Sequence, residues 1–200
     1  MTHLRRELAR LKEDHEVAEI GEIARRYFAM NSFDGILTIL GVLMGSYLAE
    51  VRTPAVIIVT GMSTSVSMAI SGLWGAYLTE SAERQRGLDD LEEHTLTDLS
   101  QTRIGRAART AVVVVAAVDG LAPLLASLLV LLPFFLTHLW GNILYSYYAA
   151  GIIAMLGLFG LGAFLGRISK QNLLIAGLKM IIAGVMALVL SYLIENLVHP

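Results

Sequence analysis

Five apolar segments, each long enough to cross a bilayer as a helix, constrain this chain more than any other feature. A bilayer core requires about 20 apolar residues of α-helix, and a helix satisfies its own backbone polar groups in hydrocarbon. The composition agrees, with 56% hydrophobic and 16% charged residues and a mean hydropathy of +0.65. The sequence therefore predicts an all-α polytopic membrane protein with spans at residues 27–49, 54–78, 111–136, 143–165 and 173–198.

The distribution of Lys and Arg predicts the orientation of these spans, because loops rich in these residues stay cytoplasmic. Of the 15 Lys and Arg residues, 13 lie before span one or in the loops that follow spans two and four. We therefore expect the N-terminus in the cytoplasm and the C-terminus outside. The predicted organisation is a cytoplasmic amphipathic helix (1–26), a first transmembrane pair (27–78), a cytoplasmic helical loop with acidic and basic residues (79–110), a second transmembrane pair (111–165), and span five with the C-terminus (166–200).

An Asp-Gly pair occurs in span one, at Asp34, and again in span three, at Asp119. Residues 33–44 align with 118–129, and residues 68–78 align with 155–165 at almost the same offset. The two alignments indicate a parallel two-helix internal repeat, with span five as an extra helix. A carboxylate at the centre of a bilayer costs about 2.5–3.5 kcal/mol on the insertion scale, so such residues are candidates for a cation site. The alternative is a structural role, such as pairing with Lys179.

Candidate metal ligands lie at similar depths in the two repeats. Asp34 lies about 12 Å beyond Arg26 along a helix, Asp119 about 15 Å beyond Arg109, and Met68 about 18 Å before Glu80. Carboxylate oxygens combined with thioether sulfur suit a divalent transition metal such as Fe²⁺ or Mn²⁺, although methionine is also a common gap-filler in apolar cores. The predicted metal ligands are Asp34, Met68, Asp119, Met44 and the cytoplasmic i,i+3 pair Glu80 and Glu83, for which a solvated helix face is the alternative.

Three spans carry small residues four positions apart, a spacing that lets helices approach closely. Packing faces of this kind predict a tight bundle and a dimer seam. The residues are Ser63, Ser67, Ser71 and Gly75 in span two, Gly41 and Gly45 in span one, and Gly162 and Gly166 in span four.

Several segments resemble the vacuolar iron transporter family. They are NSFDGILTILGVLMG in span one, AISGLWGAYLTESAER at the end of span two and AGLKMIIAGVMALVLSYLIENL in span five. The resemblance implies a homodimeric five-span carrier that moves Fe²⁺, and often Mn²⁺, out of the cytoplasm in exchange for protons. It places Asp34 on the intramembrane aspartate of that family.

The chain departs from this family in two places and resembles a short, prokaryotic-like member. The family has a metal-binding methionine where this chain has Gly72, and Met68 lies one helical turn away as the candidate substitute. The family also inserts a long three-helix metal-binding domain after span two, whereas the loop at 79–110 has only about 30 residues.

We therefore expect a membrane transporter that exports Fe²⁺, and also Mn²⁺, by proton antiport. The expected partners are the lipid bilayer, a second copy of the chain, metal ions and protons. No nucleic-acid partner and no cofactor is expected, since the metal is the transported substrate. The expected location is a multi-pass position in the cell membrane of a prokaryote or a vacuolar-type membrane of a eukaryote.

Two other functions are the alternatives to transport. One is a non-transporting membrane scaffold or regulator, which fits the short cytoplasmic loop. The other is an intramembrane aspartyl protease with paired carboxylates, but the chain lacks the Gly-x-Gly-Asp motif of such proteases. We expect no enzymatic activity, and the absence of cysteine excludes disulfides and thiolate chemistry.

Overall fold

The computed structural model describes residues 2–96, 98–99 and 102–198, with side chains for residues 20–139, 141–194 and 197 within these ranges. This part of the chain is helical and contains no β-strand, so the predicted all-α fold is confirmed. The helices are α1 (Thr2–Leu48), α2 (Pro54–Thr95), α3 (Arg103–Phe135), the short α4 (Thr137–Trp140), α5 (Ile143–Ile168) and α6 (Leu173–Val198).

Five helical stretches of the described residues are long and apolar enough to cross a membrane, which confirms the predicted number of spans. The chain is a multi-pass integral membrane protein. At 1.5 Å per residue, the 42 residues of α2 extend about 63 Å, roughly twice the hydrocarbon thickness. The second half of α2 and the start of α3 therefore lie within the predicted loop at 79–110. The stretches are Ile20–Leu48, Pro54–Thr95, Arg103–Leu139, Ile143–Ile168 and Leu173–Ile194.

Asparagine side chains cap the N-termini of the last two long helices. Asn142 precedes α5, and its Oδ1 atom accepts a hydrogen bond of 2.9 Å from the backbone N–H of Leu144. Asn172 precedes α6 and accepts a bond of 2.9 Å from the N–H of Leu174. Each cap satisfies one of the backbone donors that the first turn of a helix leaves without an intrahelical partner.

The chain forms two compact units. One consists of Met1–Phe28 and Ile70–Leu121, and we call it the Asp119 unit. The other consists of Ala29–Ala69 and Ala122–Pro200, and we call it the Asp34 unit. Helices α1, α2 and α3 contribute residues to both units.

The Asp34 unit has an apolar core around the fully buried side chains of Ile39, Ile57 and Phe134. Helix α5 packs closely on α6 through glycine. A Cβ atom at Gly162 would lie 2.5 Å from the carbonyl oxygen of Ala176, and one at Gly166 would lie 2.8 Å from the Ala176 Cβ. The small-residue spacing of span four is therefore used as a packing face within the chain.

The glycine of the first Asp-Gly pair brings α1 directly onto α3 within the Asp34 unit. A Cβ atom at Gly35 would lie 2.6 Å from the carbonyl oxygen of Pro123 and 2.8 Å from its Cα. The buried hydroxyl of Ser127 donates to the Pro123 carbonyl at 2.6 Å and to the Gly35 carbonyl at 3.3 Å. The backbone at residue 35 is therefore held against α3, and this contact positions the adjacent Asp34.

We predict that Gly35→Ala destabilises the protein by about 1–3 kcal/mol, because the added methyl group collides with backbone that cannot rotate away. Thermal unfolding in a mild detergent measures the effect. Gly41→Ala is the matched control on the same helix, since a Cβ there meets no described atom within 4 Å and alanine favours helix by up to about 1 kcal/mol. Equal midpoints for the two variants would show that the contact between α1 and α3 is not tight.

Candidate functional site

Asp34 lies within the first membrane-spanning stretch and its side chain is exposed. The neighbouring residues Ser32, Gly35 and Ile36 are buried, so they face the interior of the Asp34 unit. The Asp34 carboxylate therefore points away from the core of its unit. A carboxylate on the uncovered face of a membrane helix requires water, a cation or another protein surface to be stable.

Asp119 lies in the opposite situation within the Asp119 unit. Only 8% of its surface is exposed, and it packs against Gly72 of α2. A Cβ atom at Gly72 would lie 2.9 Å from the Asp119 carbonyl oxygen and 3.1 Å from its carboxylate Oδ2. Two oxygens of Asp119 therefore occupy the volume of a side chain at position 72, which gives a physical reason for glycine there.

A polar network joins α1 and α2 in the same unit. A side-chain hydrogen bond links Tyr27 with Glu80, and Asp119 is close enough to Tyr27 to interact with it electrostatically. The Glu80 carboxylate also pairs with Arg84, with 3.5 Å between Oε2 and Nε. The Arg26 guanidinium lies 5.9 Å from the centre of the Tyr27 ring. Tyr27 therefore lies near two of the predicted ligands, Glu80 and Asp119.

The remaining predicted ligands lie in different surroundings. Glu83 is exposed on α2, one turn from the half-buried Glu80. Met68 is half-buried on the part of α2 that belongs to the Asp34 unit. Met44 lines an apolar groove between α1, α5 and α6. It is separated from Asp34 by ten residues of α1, or about 15 Å along the helix axis, so the two side chains do not bind one ion within a single chain.

The charged side chains bear on two of the predictions, the metal site and the pairing of Lys179 with an aspartate. Within the part of the chain whose side chains are described, no group of three or more His, Asp or Glu residues is arranged to hold a metal ion. Lys179, considered above as a partner for an aspartate, is exposed on α6 and forms no ion pair with the described residues. The described residues therefore show no pairing of Lys179 with an aspartate.

Sequence reasoning missed Tyr27 as a neighbour of the candidate ligands. Its position at the predicted boundary of span one, close to Arg25 and Arg26, resembles an ordinary interfacial aromatic. The link to Glu80 required knowledge of how α1 packs on α2, which the sequence of either helix does not contain.

We predict that Gly72→Ala displaces Asp119 and lowers stability by about 1–3 kcal/mol, because its methyl group overlaps two Asp119 oxygens. Gly87→Ala on the same helix is the control, since a Cβ there has no described atom within 4 Å. Thermal unfolding of both purified variants tests the contact. Unchanged stability in Gly72→Ala, together with stability at least as high in Gly87→Ala, would contradict it.

The sequence is similar to known proteins over more than half of its length. The family model described as the VIT family matches residues 89–196, from the second half of α2 to α6. A protein of Methanocaldococcus jannaschii, described as uncharacterized, is 31% identical over 179 residues. The alignment covers 88% of this chain and 91% of that archaeal relative.

Proposed function

Since this chain belongs to the VIT family, we propose that it exports Fe²⁺, and also Mn²⁺, from the cytoplasm in exchange for protons. Membership of the family indicates a membrane metal-ion transporter and agrees with a function that is not enzymatic. Three parts of the function are proposed beyond family membership. They are the ions that move, their exchange for protons and the residues that bind the metal. The proposal agrees with what the resemblance of the sequence to the vacuolar iron transporter family implies.

The observation that carries the proposal is the exposed carboxylate of Asp34 inside a membrane-spanning stretch. Intramembrane carboxylates are costly and commonly mark ion pathways. A deprotonated Asp34 attracts a divalent cation, whereas a protonated Asp34 releases it. One side chain that alternates between the two states therefore couples metal movement in one direction to proton movement in the other.

The exposure of Asp34 also supports a homodimer as the working unit. In a two-fold symmetric interface the same face of each copy meets its counterpart, so two Asp34 carboxylates would approach each other across the axis. Two carboxylates balance the charge of one divalent ion. Ser63, Ser67, Ser71 and Gly75 of α2 are each exposed, which leaves a row of small residues on which a helix of a second copy can pack.

The other candidate ligands take secondary roles in this proposal. Met68 supplies a soft thioether, which favours transition metals over Mg²⁺ and Ca²⁺. Asp119 supplies a buried carboxylate, held by its contact with Gly72. Glu80 and Glu83 attract cations to the cytoplasmic entrance. Met44 lies too far along α1 to act with Asp34 of the same chain.

Transport into proteoliposomes tests the proposal directly. We expect Mn²⁺ and Fe²⁺ to cross under an imposed pH gradient, and Asp34→Asn to reduce the initial rate by about tenfold or more, corresponding to at least about 1.4 kcal/mol. Asp90→Asn, which changes an exposed carboxylate on α2, is the control and should transport like the parent. Parental rates in Asp34→Asn would contradict the assignment of the ligand.

Metal-dependent thermal stability gives a second, independent test. A ligand present at 100 times its dissociation constant stabilises by about 2.7 kcal/mol, which raises Tm by roughly 5–10 °C for a chain of this size. We expect Fe²⁺, Mn²⁺ and Co²⁺ to produce such a shift and Asp34→Asn to lose it. A folded protein that neither responds to these metals nor transports them would instead support the alternative of a membrane scaffold.

A further inference from the structure

An open apolar groove of about 790 Å³ lies on the Asp34 unit between α1, α5 and α6. Its walls include Leu40, Met44, Gly151, Met155, Phe159 and Leu188. These are uncharged side chains on membrane-spanning stretches. A groove with such walls takes an apolar ligand.

Three tyrosines line the end of the groove that is nearest the turn between α1 and α2. The Tyr47 ring meets the Tyr147 ring edge-on, with 5.4 Å between the ring centres. The Tyr147 hydroxyl donates to the Val51 carbonyl in that turn at 3.0 Å, and Tyr148 is close enough to Tyr47 to interact with it electrostatically. Tyrosines with an apolar ring and a hydrogen-bonded hydroxyl are typical of the boundary between hydrocarbon and lipid headgroups.

A positive charge lies beside this tyrosine end. Arg52 directly follows Val51, its side chain is exposed, and it is close enough to Tyr147 to interact with it electrostatically. The guanidinium group of arginine matches the geometry of phosphate and binds it through two parallel hydrogen bonds. The groove therefore has an apolar body, and a cation suited to phosphate lies near its tyrosine end, next to the Val51 carbonyl that Tyr147 contacts.

The length of the groove fits one leaflet of a bilayer. Its walls on α5 run from Tyr147 to Phe159, a rise of about 18 Å at 1.5 Å per residue. The hydrocarbon half-thickness of a bilayer is about 15 Å. An acyl chain that enters at the tyrosine end thus spans the groove from the headgroup region to near the middle of the membrane.

We propose that this groove binds one phospholipid, with an acyl chain along α1, α5 and α6 and its phosphate on Arg52. The charge of Arg52 and the leaflet-length body together select a phospholipid over an uncharged apolar molecule. The bound lipid fills the space between α1 and the pair formed by α5 and α6. It therefore stabilises the Asp34 unit.

A second copy of the chain is a poorer occupant of the groove. A two-fold interface must be complementary to itself, and a concave groove does not fill another copy of the same groove. The positions of the groove residues on α1 lead to the same conclusion. Leu40, Met44 and Tyr47 are centred roughly 110° around the helix from Asp34, at 3.6 residues per turn, so the groove and the proposed dimer face are different surfaces.

The test is thermal unfolding of delipidated full-length protein in detergent, titrated with phosphatidylglycerol or with a diacylglycerol that carries the same chains. We expect phosphatidylglycerol to raise Tm by about 5–10 °C at saturation, and the diacylglycerol to raise it by less than half as much. Gly151→Leu fills the groove, because a Cβ at Gly151 has no described atom within 4 Å, and should remove most of the shift. Gly160→Leu is the matched control on α5, since Gly160 is exposed outside the groove and should keep the full shift.

The variant Arg52→Gln tests the phosphate contact separately, because it does not depend on the folding of the groove variants. It should reduce the response to phosphatidylglycerol to that of the diacylglycerol. A full phosphatidylglycerol shift in both Gly151→Leu and Arg52→Gln would overturn the proposal. So would a change of oligomeric state confined to Gly151→Leu, because that result would assign the groove to a second copy of the chain.

Discussion

The backbone contact between Gly35 and Pro123 determines how α1 packs in the Asp34 unit. Proline fixes the local backbone of α3, and the absence of a side chain at Gly35 lets α1 approach to van der Waals distance. Ser127 then bridges the two carbonyl groups from a fully buried position. Because this contact sets the rotation and height of α1, it directs Asp34 outward and turns Leu40 and Met44 towards α5 and α6.

The two Asp-Gly pairs share a sequence pattern but not an environment. The glycine of the first pair makes a helix contact, and its aspartate is exposed. In the second pair, Asp119 is itself buried, and it packs against a glycine of another helix, Gly72. A shared Asp-Gly pattern therefore does not fix the surroundings of its aspartate. This difference favours Asp34 for the exchange of ions and Asp119 for a more fixed electrostatic role.

The number of spans and the helical class were predictable from the sequence, because length and hydropathy alone determine them in a bilayer. The partners of individual residues were not predictable in the same way. The spacing of Gly162 and Gly166 does mark a packing face, whereas Gly41 and Gly45, with the same spacing, meet no described atom within 4 Å of an added Cβ. Only the rotation of each helix distinguishes the two cases. The same information was needed to place Tyr27 beside Glu80 and to find that Asp119 takes the volume above Gly72.

In the proposed function, Asp34 exchanges a metal ion for protons. Simultaneous recording of Mn²⁺ uptake and lumenal pH in proteoliposomes that contain the purified protein tests it most directly. We expect protons to move opposite to the metal, only when Mn²⁺ is added, and we expect both movements to be lost in Asp34→Asn. Mn²⁺ uptake without any proton movement, or proton-coupled uptake at the parental rate in Asp34→Asn, would contradict it.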